Sequence, residues 1–392
     1  RGGGSNSSVA FHEPPRASVL SVPLGVTSPP DYCTYPYIAA ADSSGLLLLR
    51  ATLPSMIIIY HICDARTGEV FTLGSHWRPM GSHGINVGLI TRGNDGCVVA
   101  ELQLEGDGTG RATLLTYKVE DQCRWVEREL TYSPPLLRRF WAGEGVVSYA
   151  GMLWWVDLSY GALACDPFVD DPELIHVPFP AALDDLPAAQ INRGARRCLK
   201  VSGGRLRCVQ IHGSSDASVV SMWALADPPM AGKWNSERSV PFAEVWANES
   251  YLDTMLPGTI PALALLHPTD PDRVYFFLDS CIFAVDLRLK KIVEFSCQFT
   301  MPKPTYCHLI MSSHLVHAWQ YDPSSTRSDL LSTCLRQDNI AAQSSFFSRP
   351  ISRKTAIELD RFRELASSVH REQQKAVWKE AKSSRVVKRR IR

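Results

Sequence analysis

Short apolar runs recur along this chain between turn-forming residues. They are often continuous where a half-buried strand would alternate, and continuous runs suit strands covered on both faces. Their length and their Val, Ile and aromatic content favour strand over buried helix. The runs group into units in which a strand, a turn and a second strand ending near Asp hairpin back on one another. Residues 46–49 lead to 56–64 and, past a turn at 66–68, to 69–73. The same succession holds for 97–104, 112–119 and 124–130, then for 146–150, 153–158 and 162–166. It returns in 205–211, 219–226 and 234–240, in 273–278, 282–287 and 292–296, and more weakly in 308–311, 315–321 and 330–334. Repeats of this kind predict a mainly β fold, a propeller-like closed array of roughly six small antiparallel sheets, with a pair of β-sandwiches as the other architecture.

Two stretches break the pattern. From Pro241 to Leu256, Phe242, Val245, Trp246 and Leu256 share a helical face, Pro241 suits the first helical position, and Gly258 suits the end. From about Ser352 the period changes to three, four and seven residues through Leu359, Phe362, Leu365, Val369 and Ala376, which predicts a long C-terminal amphipathic helix. The resulting division is a flexible segment 1–16, a β domain 17–348, and a basic helix and tail 349–392. The chain opens on Arg1, so the expectation is a truncated start, without a secretory leader in the Gly/Ser-rich opening.

Charge changes this picture only when split by position. The formal net charge is +1, but residues 349–392 carry 14 Lys/Arg against 5 Asp/Glu, leaving an acidic body and a basic tail. The most hydrophobic stretch, 46–63, is interrupted by Arg50 and Pro54, well short of the ~20 apolar residues a membrane helix needs. Eleven cysteines are spread through the chain with no C-x-x-C pair, and most sit in apolar runs. That usage reads as free thiols in a reducing compartment, cytoplasm or nucleus, and makes the sequons at Asn6 and Asn248 chance matches.

Candidate chemistry is sparse. Cys307, His308, His314 and His317 are the densest set of possible metal ligands, but His314 and His317 fall on opposite faces of a strand, and no metal is expected. Gly106–Gly110 resembles a phosphate-cradling loop without the helix that mechanism needs, so a hairpin loop is expected and no nucleotide cofactor. Asp166, Asp170, Asp171 and Glu173, followed by Asp184 and Asp185, gather carboxylates where a calcium loop or an acid/base pair is imaginable. Pro167 and Pro172 make the same stretch a stiff solvent-facing loop. No nucleophile stands out with its base. Trp154, Trp155, Trp223, Trp234 and Trp246 read as core fillers between packed sheets before they read as a sugar- or peptide-stacking surface. In the tail, Lys382, Arg385, Lys388, Arg389, Arg390 and Arg392 form a basic cluster of the nuclear-import or nucleic-acid type, or else a solvated helix end.

Residues 153–187, LWWVDLSYGALACDPFVDDPELIHVPFPAALDDLP, together with GGRLRCVQI at 203–211, SMWALADP at 221–228, FAEVW at 242–246, LPGTIPALALLHPTDPDRVYFFL at 256–278 and IFAVDLRLKKIVE at 282–294, carry a specific Trp/Asp/Pro pattern. It resembles a grass-expanded plant family known only as domain of unknown function sixteen-eighteen, over about residues 15–302. The resemblance implies no established activity, no agreed catalytic residue and no cofactor. Members look like the propeller domains attached to F-box proteins, which implies a non-enzymatic interaction module with an unidentified protein partner. The other expectations are a nuclear factor touching nucleic acid through the basic tail, and a propeller hydrolase or sugar-binding domain.

Overall fold

The computed structural model describes residues 7–12, 15–22, 37–52, 58–74, 86–105, 109–119, 124–133, 141, 143–183, 193–214 and 217–297. A two-stranded ladder of β1 (Ser8–Ala10) and β2 (Val19–Ser21) comes first. Five four-stranded antiparallel sheets follow among the described residues. The first holds β3 (Tyr37–Ala41), β4 (Leu46–Thr52), β5 (Ile58–Asp64) and β6 (Val70–Thr72). The second holds β7 (Val87–Arg92), β8 (Gly96–Leu104), β9 (Arg111–Lys118) and β10 (Trp125–Thr131). The third holds β11 (Val146–Tyr149), β12 (Met152–Asp157), β13 (Gly161–Cys165) and β14 (Ile175–Pro178). The fourth holds β15 (Arg197–Ser202), β16 (Arg205–His212), β17 (Val219–Leu225) and β18 (Trp234–Pro241). The fifth holds β19 (Ala262–Leu266), β20 (Arg273–Leu278), β21 (Cys281–Asp286) and β22 (Lys291–Ser296).

Within each sheet the strands lie in chain order, so every ladder joins sequence neighbours. The first strands of successive sheets touch one another in turn, β3 with β7, β7 with β11, β11 with β15 and β15 with β19. Small sheets whose leading strands adjoin in succession, packed face to face, are the blades of a β-propeller.

Packing explains the continuous apolar runs. Each middle sheet has a neighbour on both faces, so both faces must be apolar. Adjacent positions Trp154 and Trp155 show it directly, both fully buried. Trp155 joins Ile90, Val98 and Leu114 of the second sheet, while Trp154 joins Leu199, Leu206 and Cys208 of the fourth. Between the fourth and fifth sheets, Val209, Ile211 and Met222 meet Val274, Phe276 and Phe283. The ladder of β1 and β2 packs Val9 and Leu20 on Leu47, Leu49 and Cys63 of the first sheet.

Three expectations change here. Five of the six units correspond to the five sheets; the sixth, at 308–334, and the C-terminal helix lie outside the described residues. The single helix expected over 241–256 is two short ones, α1 (Phe242–Trp246) and α2 (Glu249–Leu252). Asn248 interrupts it because its side chain accepts from the Ser250 backbone and so caps a new helix; Pro241 closes β18 and stands before α1. Phe242, Val245 and Tyr251 still bury together against the fifth sheet. Finally, Cys281 and Cys297 form a disulfide, against the expectation of thiols throughout. The register that pairs Ile282 with Ser296 brings the residues one step further out opposite each other. Cys63, Cys97, Cys165, Cys198 and Cys208 are buried free thiols, as their apolar surroundings predict. Among the described residues, no helix is long and apolar enough to cross a membrane.

Candidate functional site

The leading strands give the scaffold two rims, one where they begin (upstream) and one where they end (downstream). The downstream rim is stapled from sheet to sheet by satisfied bonds. Thr91 donates to Asp42 at 2.7 Å across the first and second sheets. Arg92 donates to the Gly151 carbonyl, pairs with Asp166 at 2.8 Å and lies over the Phe168 ring, which ties the second sheet to the third. Ser202 donates to the His267 carbonyl at 2.5 Å, and the Gly203 amide to that of Pro268 at 2.8 Å, between the fourth and fifth. The Arg92–Asp166 pair thus holds two blades together.

The upstream rim is different. Arg50 ends the run Leu46–Leu49 on β4, and the ladder sets it in one row with Tyr37 and Tyr60. Its guanidinium lies 5.3 Å from the centroid of the Tyr37 ring, which is 38% exposed. Across the seam, Glu101 interrupts the apolar run of β8 and is buried at 2% exposure. One of its oxygens accepts from Gln103 at 3.0 Å; the other has no hydrogen-bond partner. Burial pushes its carboxyl up to about 7, opposed by the Gln103 hydrogen bond and then by the Arg50 charge. Burial also raises the Tyr60 and Tyr37 hydroxyls; the Glu101 charge adds to both, and Arg50 opposes it.

The polar row continues into the third and fourth sheets. The Asn86 carbonyl accepts from the Trp155 indole at 2.8 Å and from the Leu102 amide at 3.2 Å. Its side chain lies against Gly143, where a Cβ would fall 1.7 Å from Asn86 Oδ1. Next to that glycine, Glu144 accepts from the Leu158 amide at 2.5 Å and meets Arg193 at 3.4 Å. Burial lifts Glu144 to about 7; the Leu158 amide opposes it, Asp157 adds to it, and Arg193 opposes it. Arg197 donates to the Leu158 carbonyl at 2.6 Å and to Gln210 at 3.0 Å, so it spans the same seam. Two carboxyls near neutrality, each beside a guanidinium, can both donate and accept hydrogen bonds at ordinary pH.

Sequence reading named Trp155 as a core filler and Arg50 as a break in an apolar stretch, and singled out none of the charged residues of this row as site candidates. The available signal was a charge set into an otherwise apolar strand, as at Arg50, Glu101 and Arg197. Of the residues it did single out, Lys382, Arg385, Lys388, Arg389, Arg390 and Arg392 lie outside the described residues, as do Cys307, His308, His314, His317, Asp184 and Asp185. The glycine-rich stretch leads from β8 straight into its antiparallel neighbour β9, with no helix after it. Asp166 serves the Arg92 staple and accepts from the Phe168 amide, while Asp170 is fully exposed. Among the described residues, no three His, Cys, Asp or Glu converge as a metal site. Trp154, Trp155 and Trp223 are buried, Trp234 donates to the Pro178 carbonyl between two sheets, and Trp246 stacks on Phe242, so the tryptophans are core.

Fold and rim together define a β-propeller with one stapled and one polar end. Residues 155–275, from within the third sheet into the fifth, match the model of a family described as Protein of unknown function (DUF1618). No curated protein matches the sequence. Among solved structures the chain is similar to AztD of Citrobacter koseri, with TM-score 0.35 and 11% identity over 74% of this chain and 65% of that one. It is similar to an alpha-L-arabinanase of Penicillium chrysogenum, with TM-score 0.34 and 11% identity over 64% and 77%. It is also similar to Sqt1 of Saccharomyces cerevisiae, with TM-score 0.35 and 11% identity over 71% and 66%. The chain thus spans less than two thirds of the length of AztD and Sqt1.

Proposed function

We propose that this chain is a non-enzymatic recognition module that binds a protein partner at its upstream rim. One observation carries the reading. At the downstream rim Thr91, Arg92 and Ser202 bond from one sheet to the next, whereas the upstream rim holds an exposed tyrosine ring beneath an arginine and a buried carboxylate oxygen with no hydrogen-bond partner among the described residues. Tyr and Arg set in a partly desolvated surface are the residue types that dominate interface energetics. A rigid scaffold presenting them at one end is suited to capture, since little ordering cost remains at binding.

The test is quantitative capture of one identified partner by the full chain and by rim variants. Tyr37→Ala and Arg193→Met at the upstream rim are expected to weaken capture at least tenfold, while Thr91→Val at the downstream rim leaves it unchanged. Equal behaviour of the two rims would sink the proposal. Loss of capture only on neutralising Lys388, Arg389 and Arg390 would replace it with the tail-mediated nucleic-acid reading.

A further inference from the structure

Resting on that rim reading, we infer that Arg196 is the residue of the upstream rim that reads an anion, and that the anion is a carboxylate on an acidic segment of the partner. The sequence Arg193-Gly194-Ala195-Arg196-Arg197 packs three guanidinium groups into five residues where a single turn of 3-10 helix (Arg193–Ala195) leads into β15. Two of the three have partners. Arg193 meets Glu144, and Arg197 is held by the Leu158 carbonyl and Gln210. Arg196 has a backbone fixed on both sides: its amide donates to the Arg193 carbonyl at 2.9 Å, and its own carbonyl accepts from Ile211 at 2.7 Å. Its side chain, only partly exposed, makes no hydrogen bond and no ion pair among the described residues.

A half-buried guanidinium without a partner has lost water without gaining a substitute. Burial lowers the Arg196 pKa, and no neighbouring carboxylate opposes that shift. Arg197 and Arg193 stand one and three residues away along the chain. The planar fork of the guanidinium matches a carboxylate through two parallel bonds, which supplies both the missing charge and the missing acceptors. Two described acids of the same seam are already engaged: Glu144 by Arg193 and Leu158, and Asp157 by Ser159. No described residue supplies the compensating group, and an acidic segment of the partner would.

A fluorescent Glu-rich octapeptide and its Gln-rich counterpart, titrated against the full chain by anisotropy at low salt, test the inference. The wild type is expected to bind the acidic peptide and not the neutral one. Arg196→Gln is expected to weaken binding about tenfold, and Arg196→Lys to restore part of it, as loss of one bidentate charged pair predicts. Because the side chain has no bond to lose, the variant should melt at the wild-type temperature, which separates recognition from folding. A triple variant Lys388→Gln, Arg389→Gln, Arg390→Gln should keep the affinity. Three outcomes overturn the inference: equal binding by Arg196→Gln, loss of binding in the tail variant, or stronger binding of a phosphoserine peptide than of the Glu peptide. If Arg196→Gln leaves peptide affinity unchanged while Tyr37→Ala still weakens partner capture, Arg196 is cleared and the rim reading stands.

Discussion

The indole nitrogen of Trp155, on the third sheet, donates at 2.8 Å to the main-chain carbonyl of Asn86, which leads into the second. A fully buried side chain thus satisfies its one polar atom on the neighbouring blade and at the polar rim. Trp155→Phe should therefore cost more than its lost area. A deficit of about 2–4 kcal/mol is expected in urea unfolding, combining the lost bond with the space left behind.

Gly143 faces the same asparagine from the other side. A methyl group there would fall on Asn86 Oδ1, so Gly143→Ala should destabilise by about 1–3 kcal/mol through forced displacement. Shortening the obstacle with Asn86→Ala should recover most of that loss, so the double variant should be more stable than the sum of the singles predicts. Strict additivity in a thermal-unfolding cycle would contradict the contact.

Glu101 and Glu144 have pKa values raised from 4.5 to about 7 in the folded chain. Each carboxyl holds its proton more tightly folded than unfolded. The stability this contributes is full below about 4.5 and is lost as pH climbs through about 7. For Glu101 the swing is on the order of 3 kcal/mol. Denaturant midpoints should fall between pH 5 and pH 8, and Glu101→Gln should flatten part of that slope. A midpoint that rises over this range in the wild type, or an unchanged slope in the variant, would contradict the burial assigned to these groups.

Reduction should act on one site among the described cysteines. The Cys281–Cys297 bridge closes a sequence separation of 16, for which loop closure gives about 3 kcal/mol. Cys281→Ser with Cys297→Ser should lower stability by about that amount. The thiols of Cys63 and Cys165, pushed up to about 12 by burial, should alkylate only on unfolding.

Much of the fold was legible because the middle strands are runs such as 97–104 and 153–158, whose composition serves two covered faces at once. The leading strands were not, apart from β11, which the run 146–150 anticipated. Tyr37-Ile-Ala-Ala-Ala and Ala262-Leu-Ala-Leu-Leu are rich in small residues because they stand where adjacent sheets converge, and Arg197-Cys-Leu-Lys-Val-Ser opens on a charge used at the rim. The strand Ile175–Pro178 was hidden behind the acidic, proline-rich stretch that precedes it. The rim itself was invisible for a simpler reason: Arg50, Glu101, Glu144 and Arg196 are far apart along the chain, and only packing of successive sheets brings their surroundings into one row.

Among the described residues each strand hydrogen-bonds only to strands beside it in the chain, so register is set locally, sheet by sheet. A lesion inside one blade leaves the ladders of the others intact and is felt by them only through a shared apolar face. Amide exchange under mildly destabilising conditions should accordingly release protection in blade-sized groups, and tethering a label at a distal turn should perturb its own blade and at most two neighbours.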